Sequence, residues 1–202
     1  MDVLQSLNVS RETLERLTIY VNLLKLWNPK INLIARSTLP DVWTRHIQDS
    51  AQVFDCAPEV NHWVDLGSGG GLPGLVVAIL GHDIKTPLQV TLVESDQRKC
   101  TFLRTVIRET GVSATVLAKR VEDIPSLDAD VLSARALTQL SGLLGYTQHH
   151  MRPDGIAIFP KGEKWQKEIE DARDSWRFDV EPVTSKTESA AAILKIRNVS
   201  RV

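Results

Sequence analysis

Apolar residues recur at helical spacing near the start of the chain, at Leu14, Leu17, Tyr20, Val21 and Leu24. That spacing draws one apolar stripe along a helix. Ser10 stands where an N-cap belongs, and Thr13 and Glu15 fall in the opening turn. Asn28-Pro29 is expected to end this helix, because proline disfavours helical geometry at the residue before it. A second helix is expected over 39–54, with Pro40 in its first turn. From residue 62 the rhythm changes to short apolar runs separated by helical patterns. Strands are predicted at 63–66, 88–93, 114–117, 130–133 and 155–159. Helices are predicted at 73–80, 97–110, 137–149 and 163–174. The segments 178–180 and 191–196 read as a closing antiparallel pair. Strands alternating with helices imply an α/β fold, a mostly parallel sheet with helices on both faces. Ligands of such sheets bind beyond the carboxyl ends of the strands, where strand order reverses. The whole chain, 1–202, reads as one domain, with 1–60 as an N-terminal helical extension and 61–202 as the α/β core.

Composition changes this picture little. The apolar share is 43% and the charged share 24%, ordinary for a water-soluble domain. No apolar run is long enough to cross a membrane, and Met1-Asp2-Val3-Leu4-Gln5 does not look like a secretory signal. A cytoplasmic monomer without membrane contact is expected. Cys56 and Cys100 have no metal-like spacing and are read as free thiols. His62, His82, His149 and His150 have no metal-like company either, so no metal site is expected. Tyr20, Trp27 and Trp43 are read as core residues. The formal net charge of −1 does not advertise a nucleic-acid partner, but cations cluster locally. Arg11, Arg16, Lys25, Lys30, Arg36 and Arg45 form one group. Arg98, Lys99, Arg104, Arg108, Lys119 and Arg120 form another. Each is either a solvated helix face or a surface for phosphate.

The chemistry concentrates in Val64-Asp65-Leu66-Gly67-Ser68-Gly69-Gly70-Gly71-Leu72-Pro73-Gly74. This run leaves a strand and opens a helix, as a nucleotide-binding loop does. Four glycines in five residues are entropically expensive for a plain connection and suit a tight turn close to a ligand. The Gly-Lys-Ser/Thr ending of a phosphate-gripping loop is absent. A dinucleotide loop wants glycine or alanine where Leu72 stands. The order acidic, apolar, Gly-x-Gly-x-Gly resembles instead the first motif of Rossmann-like methyltransferases. Glu94, ending the second strand, is placed to accept hydrogen bonds from two ribose hydroxyls. The Asp/Asn-Pro-Pro-aromatic segment associated with methylation of exocyclic amines is missing, since 131–136 reads Val-Leu-Ser-Ala-Arg-Ala. Neither cysteine follows a strand as a pyrimidine C5 nucleophile would. A target with an in-plane lone pair, such as guanine N7, needs no general base, only positioning in a shielded site.

Further landmarks follow in order: Trp27-Asn28, Asn32-Leu33, Arg45-His46, Asp49-Ser50, Gly71-Leu72-Pro73-Gly74, Glu94-Ser95, Arg98-Lys99, Phe102-Leu103, Arg120-Val121-Glu122, Ser133-Ala134-Arg135-Ala136 and Lys161-Gly162. With these, nearly the whole chain resembles the bacterial small-subunit ribosomal RNA methyltransferase G family, also called glucose-inhibited division protein B. The resemblance implies a class I methyltransferase fold. It also implies methyl transfer from S-adenosylmethionine to N7 of a guanosine in the decoding-region loop of 16S rRNA, in free RNA or the 30S particle. It implies cofactor contacts from Gly67, Ser68, Gly69, Leu72, Glu94, Val121, Glu122 and Arg135, with Val121-Glu122 beside the adenine. Arg135 would lie near the methionine end or the target base, and is the one candidate catalytic residue. Two positions depart from the family: Ile34 stands where threonine is common, and Glu94 where aspartate is. Arg11, Arg16, Arg45, His46 and Lys161 are the candidate RNA contacts. For Arg45, His46, Asp49 and Ser50, a structural link between the N-terminal helices and the sheet is an equal alternative. Methylation of another RNA or of a small molecule, and a non-catalytic RNA-binding assembly factor, are the competing functions.

Overall fold

The computed structural model describes residues 7–57, 60–82 and 88–202. Helix α1 (Arg11–Ile31) starts at Ser10, whose hydroxyl oxygen accepts from the Thr13 N–H. It runs through Pro29 and does not stop before it. Proline in a last turn removes only one helical hydrogen bond. The end is then sealed by Asn32 in the left-handed region, φ 51°, with its N–H on the Asn28 carbonyl. The Asn28 side chain also accepts from the Leu33 and Ile34 N–H groups, so the exit turn is satisfied from within.

The second helix differs from expectation in its first half. Arg36–Thr38 forms a 3₁₀ turn, and helix α2 opens as a π-helical stretch, Trp43–Gln48, before becoming α-helical over Asp49–Asp55. Beyond it the α/β core runs β1 (His62–Leu66), α3 (Gly74–Leu80), β2 (Gln89–Val93), α4 (Gln97–Thr110) and β3 (Ala114–Leu117), then a 3₁₀ turn, Val121–Asp123, and β4 (Ala129–Ala134). It closes with α5 (Leu140–His150), β5 (Met151–Lys161), α6 (Trp165–Arg173), β6 (Trp176–Thr184) and β7 (Ala192–Arg201). Helix α5 starts three residues later than the apolar pattern suggested. The residues ahead of it, 135–139, are turned into the site described below, with Ala136 at φ 55°.

The seven strands lie in the order β3-β2-β1-β4-β5-β7-β6. The first five are parallel, and β7 is inserted antiparallel between β5 and β6. This arrangement is the expected mostly parallel α/β sheet. Alternate strand residues feed two cores, the period-two rule for a sheet covered on both faces. Trp63, Val90, Leu92, Val131, Ile156 and Ile158 pack with α1, α3 and α4. Val64, Leu66, Leu132, Ala157 and Phe159 pack with α5 and Ala172 of α6. Tyr20 is buried as expected, and Trp27 is partly buried beside Phe102, ring centroids 5.8 Å apart. Cys100 is buried and Cys56 half-buried, and both are free.

The strand order reverses between β1 and β4, where chains leave in opposite directions, and the glycine run starts there. Helix α1 holds that run from outside: the Tyr20 hydroxyl donates to the Gly70 carbonyl at 2.6 Å. Tyr20→Phe keeps the ring and strands a buried carbonyl. It is expected to lower stability by roughly 1–3 kcal/mol in urea unfolding. An unchanged midpoint and slope would show that α1 does not secure the loop.

Candidate active site

The first turn after β1 is shaped by three glycines with positive φ, Gly67, Gly69 and Gly71. Gly71 has no room for a side chain, since a β-carbon there would press into Leu75 down to its own β-carbon, whereas one on Gly67 would meet only the tip of the half-exposed Leu137, at 2.7 Å. Gly69 is different, because a β-carbon there would meet nothing nearer than the Gly67 carbonyl at 3.7 Å. The Gly69 backbone therefore borders open space, a cavity of about 310 Å³.

Gly67, Gly69, Glu94, Val121, Glu122 and Tyr146 line this cavity, with Ala136 and Leu137 closing one side. The Glu94 carboxylate spans the gap between two loops, accepting from the Gly69 N–H at 2.9 Å and the Asp96 N–H at 2.8 Å. A carboxylate offers about four acceptor positions, so roughly two remain for a ligand's hydroxyls. The Tyr146 hydroxyl donates to Glu122, and this bond holds the Glu122 carboxyl below its ordinary pKa. Sequence reasoning missed Tyr146. It lies 24 residues from its partner, and no local motif marks it.

Two of the residues expected to touch a cofactor face the other way. Ser68 is buried, donating its hydroxyl to the Asp65 carbonyl and its N–H to Val93. Leu72 is 5% exposed and sits in the core beneath α3. Both shape the loop from behind. Asp65 anchors it, accepting from Ser133 at 2.7 Å and from the Gly74 N–H at 3.3 Å. Burial pushes the Asp65 carboxyl up to about 6, against the pull of these hydrogen bonds.

A second cavity, about 550 Å³, opens beyond the carboxyl ends of β4 and β5. It shares Ala136 and Leu137 with the first, and Arg45, His46, Asp49, Arg135, Lys161 and Glu188 line its wall. Arg135 donates to His46 Nδ1 at 3.1 Å and pairs with Asp49 at 3.6 Å. His46 Nε2 lies 2.7 Å from the Thr38 hydroxyl, whose own proton goes to the Ala35 carbonyl. Thr38 must therefore accept, so His46 carries its proton on Nε2 and offers its Nδ1 lone pair to Arg135. Burial, then the nearby Arg135 and Arg45 guanidinium groups, pushes the imidazole pKa down to about 4.

The expected RNA-facing residues separate into two places. Arg45 and His46 share the second cavity with Lys161, but Lys161 is 9% exposed and committed to Glu168 at 2.8 Å and the Thr138 carbonyl. Arg11 and Arg16 lie on the first turns of α1. The turn leading into that helix borders Phe54 and Asp55 at the far end of α2. Arg11 is 86% exposed and pairs with Glu15. Ser50 is buried. Among the described residues, no three histidine, cysteine, aspartate or glutamate groups gather as metal ligands, and no helix is long and apolar enough to cross a membrane.

A family model described as "rRNA small subunit methyltransferase G" matches residues 13–196. A protein of Ruegeria sp. (strain TM1040) named ribosomal RNA small subunit methyltransferase G is 56% identical over 97% of this chain and 96% of its own length. One of the same name from Ruegeria pomeroyi is 54% identical over 98% and 97%. Among solved structures, a ribosomal protein L11 methylase from Lactobacillus delbrueckii subsp. bulgaricus superposes with a TM-score of 0.59 at 18% identity, covering 78% of each chain. TYW2 of P. horikoshii in complex with MeSAdo gives 0.56 at 14% identity, covering 77% of this chain and 62% of its own. These two likenesses establish the class I methyltransferase fold.

The depressed His46 pKa makes stability depend on pH with a definite sign. The unfolded imidazole protonates near 6.5 and the folded one near 4, so His46 contributes fully above 6.5 and its contribution fades as pH falls towards 4. The stability difference between wild type and His46→Gln is expected to shrink over that interval in urea titrations. Asp65 titrates in both proteins and cancels. A difference that stays constant or grows would contradict the neutral, Arg135-bound imidazole.

Proposed function

The chain belongs to the rRNA small subunit methyltransferase G family, and we propose that it carries the methyl group of S-adenosylmethionine to N7 of a guanosine in the decoding-region loop of 16S rRNA. One observation carries this reading. Two cavities at the carboxyl edge of the sheet meet at a shared wall, Ala136–Leu137. The inner one has the features an adenosyl group requires: a glycine turn open at Gly69, a strand-end carboxylate at Glu94, and the Val121-Glu122 turn for the adenine. The outer one has room for a base and offers hydrogen-bonding groups.

Bound in the inner cavity, the sulfonium supplies an electrophilic methyl. The guanine N7 lone pair forms the new N–C bond as the S–C bond breaks, and its electron pair stays on sulfur. No proton leaves the base, so the protein has to orient and shield. Arg135, fixed by His46 and Asp49, stands beside the shared wall and is assigned to the methionine end or the target base. His46 is a positioning group here, since both of its ring nitrogens are engaged.

Phosphates of the RNA are assigned to Arg45, half-exposed at the mouth of the outer cavity. Arg11 and Arg16 would meet a different stretch of RNA, and Lys161 supports the wall through Glu168. Affinity then falls with salt, and Arg45→Ala is expected to flatten the slope of log affinity against log salt by at most about one unit while sparing cofactor binding. An unchanged slope would make Arg45 a solvated surface residue. Lost cofactor binding would make it a support for the site.

Incubation with methyl-labelled S-adenosylmethionine and either 30S particles or free 16S rRNA, followed by borohydride and aniline cleavage, tests the reaction. Label at a cleavable guanosine is expected. Label on carbon, ribose or an exocyclic amine would refute the N7 assignment. Gly69→Val should abolish S-adenosylmethionine binding in calorimetry, because a β-branched residue cannot hold the +52° φ of this turn and its side chain would project into the cavity, while circular dichroism keeps the native helix and strand signal. Retained binding would move the cofactor elsewhere.

A further inference from the structure

The outer cavity holds three carboxylates, and two of them are already committed. Asp49 Oδ1 accepts from Gln52 Nε2 at 2.9 Å and the Thr187 hydroxyl at 2.8 Å, and its other oxygen faces Arg135. Glu168 accepts from the Leu140 N–H at 2.9 Å and from Lys161. Glu188 alone has one long contact, 3.5 Å to Arg45, with both side chains 52% exposed.

The fold fixes where Glu188 stands relative to the methyl donor. The donor cavity lies at β1 and β2, and the shared wall follows the end of β4. The loop 185–191, which carries Glu188, leads into β7, two strands beyond β4 in the order β4-β5-β7. Two strand spacings amount to about 10 Å, the span of a purine plus one hydrogen bond. A guanine with N7 at the Ala136–Leu137 wall is thus long enough to bring its opposite, Watson–Crick edge to loop 185–191 across the same cavity. That edge presents two donors, N1–H and the N2 amine, and a carboxylate accepts both. Bases presented singly to a protein are read on this edge.

The loop is also braced for such a role. The Lys186 N–H donates to Gln52 Oε1 at 2.8 Å, and Gln52 Nε2 donates to Ser185 at 3.1 Å. These bonds fix the backbone beside Glu188 to α2 and leave its side chain on the cavity.

We propose that Glu188 selects guanine by accepting from N1–H and N2–H of the target base, and that Arg45, released from Glu188, turns to an RNA phosphate. This inference rests on the N7 methylation reading above. The test uses 30S particles reconstituted with 16S rRNA carrying guanosine or inosine at the methylated position. Inosine keeps N7 and N1–H and lacks the N2 amine. The wild type is expected to prefer guanosine by about ten-fold or more in kcat/KM. Glu188→Ala should bring that ratio close to one, Glu188→Asp should restore part of it, and both should bind S-adenosylmethionine as the wild type does. An undiminished ratio in Glu188→Ala would overturn the proposal, as would equal gains on both substrates, which would make Glu188 only a plug on Arg45. Failure of the wild type to label N7 of the guanosine substrate would instead defeat the reading on which it rests.

Discussion

A buried carboxylate organises this site. Asp65, 1% exposed, lies at the point where β1 ends and the strand order reverses. Isolated burial of a charge is costly, and directed donors offset part of that cost here. Trp63 Nε1–H donates to the Ser133 hydroxyl at 2.8 Å, which in turn donates to Asp65. The Gly74 N–H approaches from the start of α3, and a β-carbon on Gly74 would lie 2.7 Å from the Asp65 carboxylate. One side chain thus ties β1, β4 and α3 together. The glycine turn is strung between two of these anchors, and the wall shared by the two cavities starts two residues after β4.

The N-terminal helices complete the arrangement from outside the core. Helix α1 steadies the turn at Gly70, and α2 brings two side chains to Arg135: His46 from its π-helical opening and Asp49 from the first α-helical turn after it. Extra residues in a helical turn often mark functional positions. The chain of contacts from the Ala35 carbonyl through Thr38 and His46 to Arg135 leaves no ring nitrogen over. Arg135 is thereby held in one orientation, with both of its partners tied into structure.

Much of this was legible in the sequence where the signal is local. The glycine run, Glu94 at a strand end and the alternation of strands and helices are short-range patterns, and each appears in the fold where it was read. Orientation was not legible. Ser68 and Leu72 belong to the same loop as Gly69, yet the positive φ angles turn them into the core and Gly69 to the cavity. Partnership was not legible either, since Arg135 and His46 are 89 residues apart. The basic residues of the first 45 positions look like one group along the chain, but α1 and α2 carry Arg11 and Arg45 to different parts of the surface. Proline at 29 misled for a similar reason: Asn28 and Asn32 supply the hydrogen bonds that let the helix pass it.

The central claim is that the reaction is driven by placement, with no side chain removing a proton. Burial pushes the His46 imidazole down to about 4 and the Asp65 carboxyl up to about 6, so a pH profile above 7 is flat whether or not either of them takes a proton. The single-turnover rate of methyl transfer with saturating cofactor and RNA, compared at pH 8 in H2O and D2O, tests the claim directly. A rate ratio close to one is expected, because no proton is in flight. A rate about two-fold or more slower in D2O would reveal a general base and contradict it.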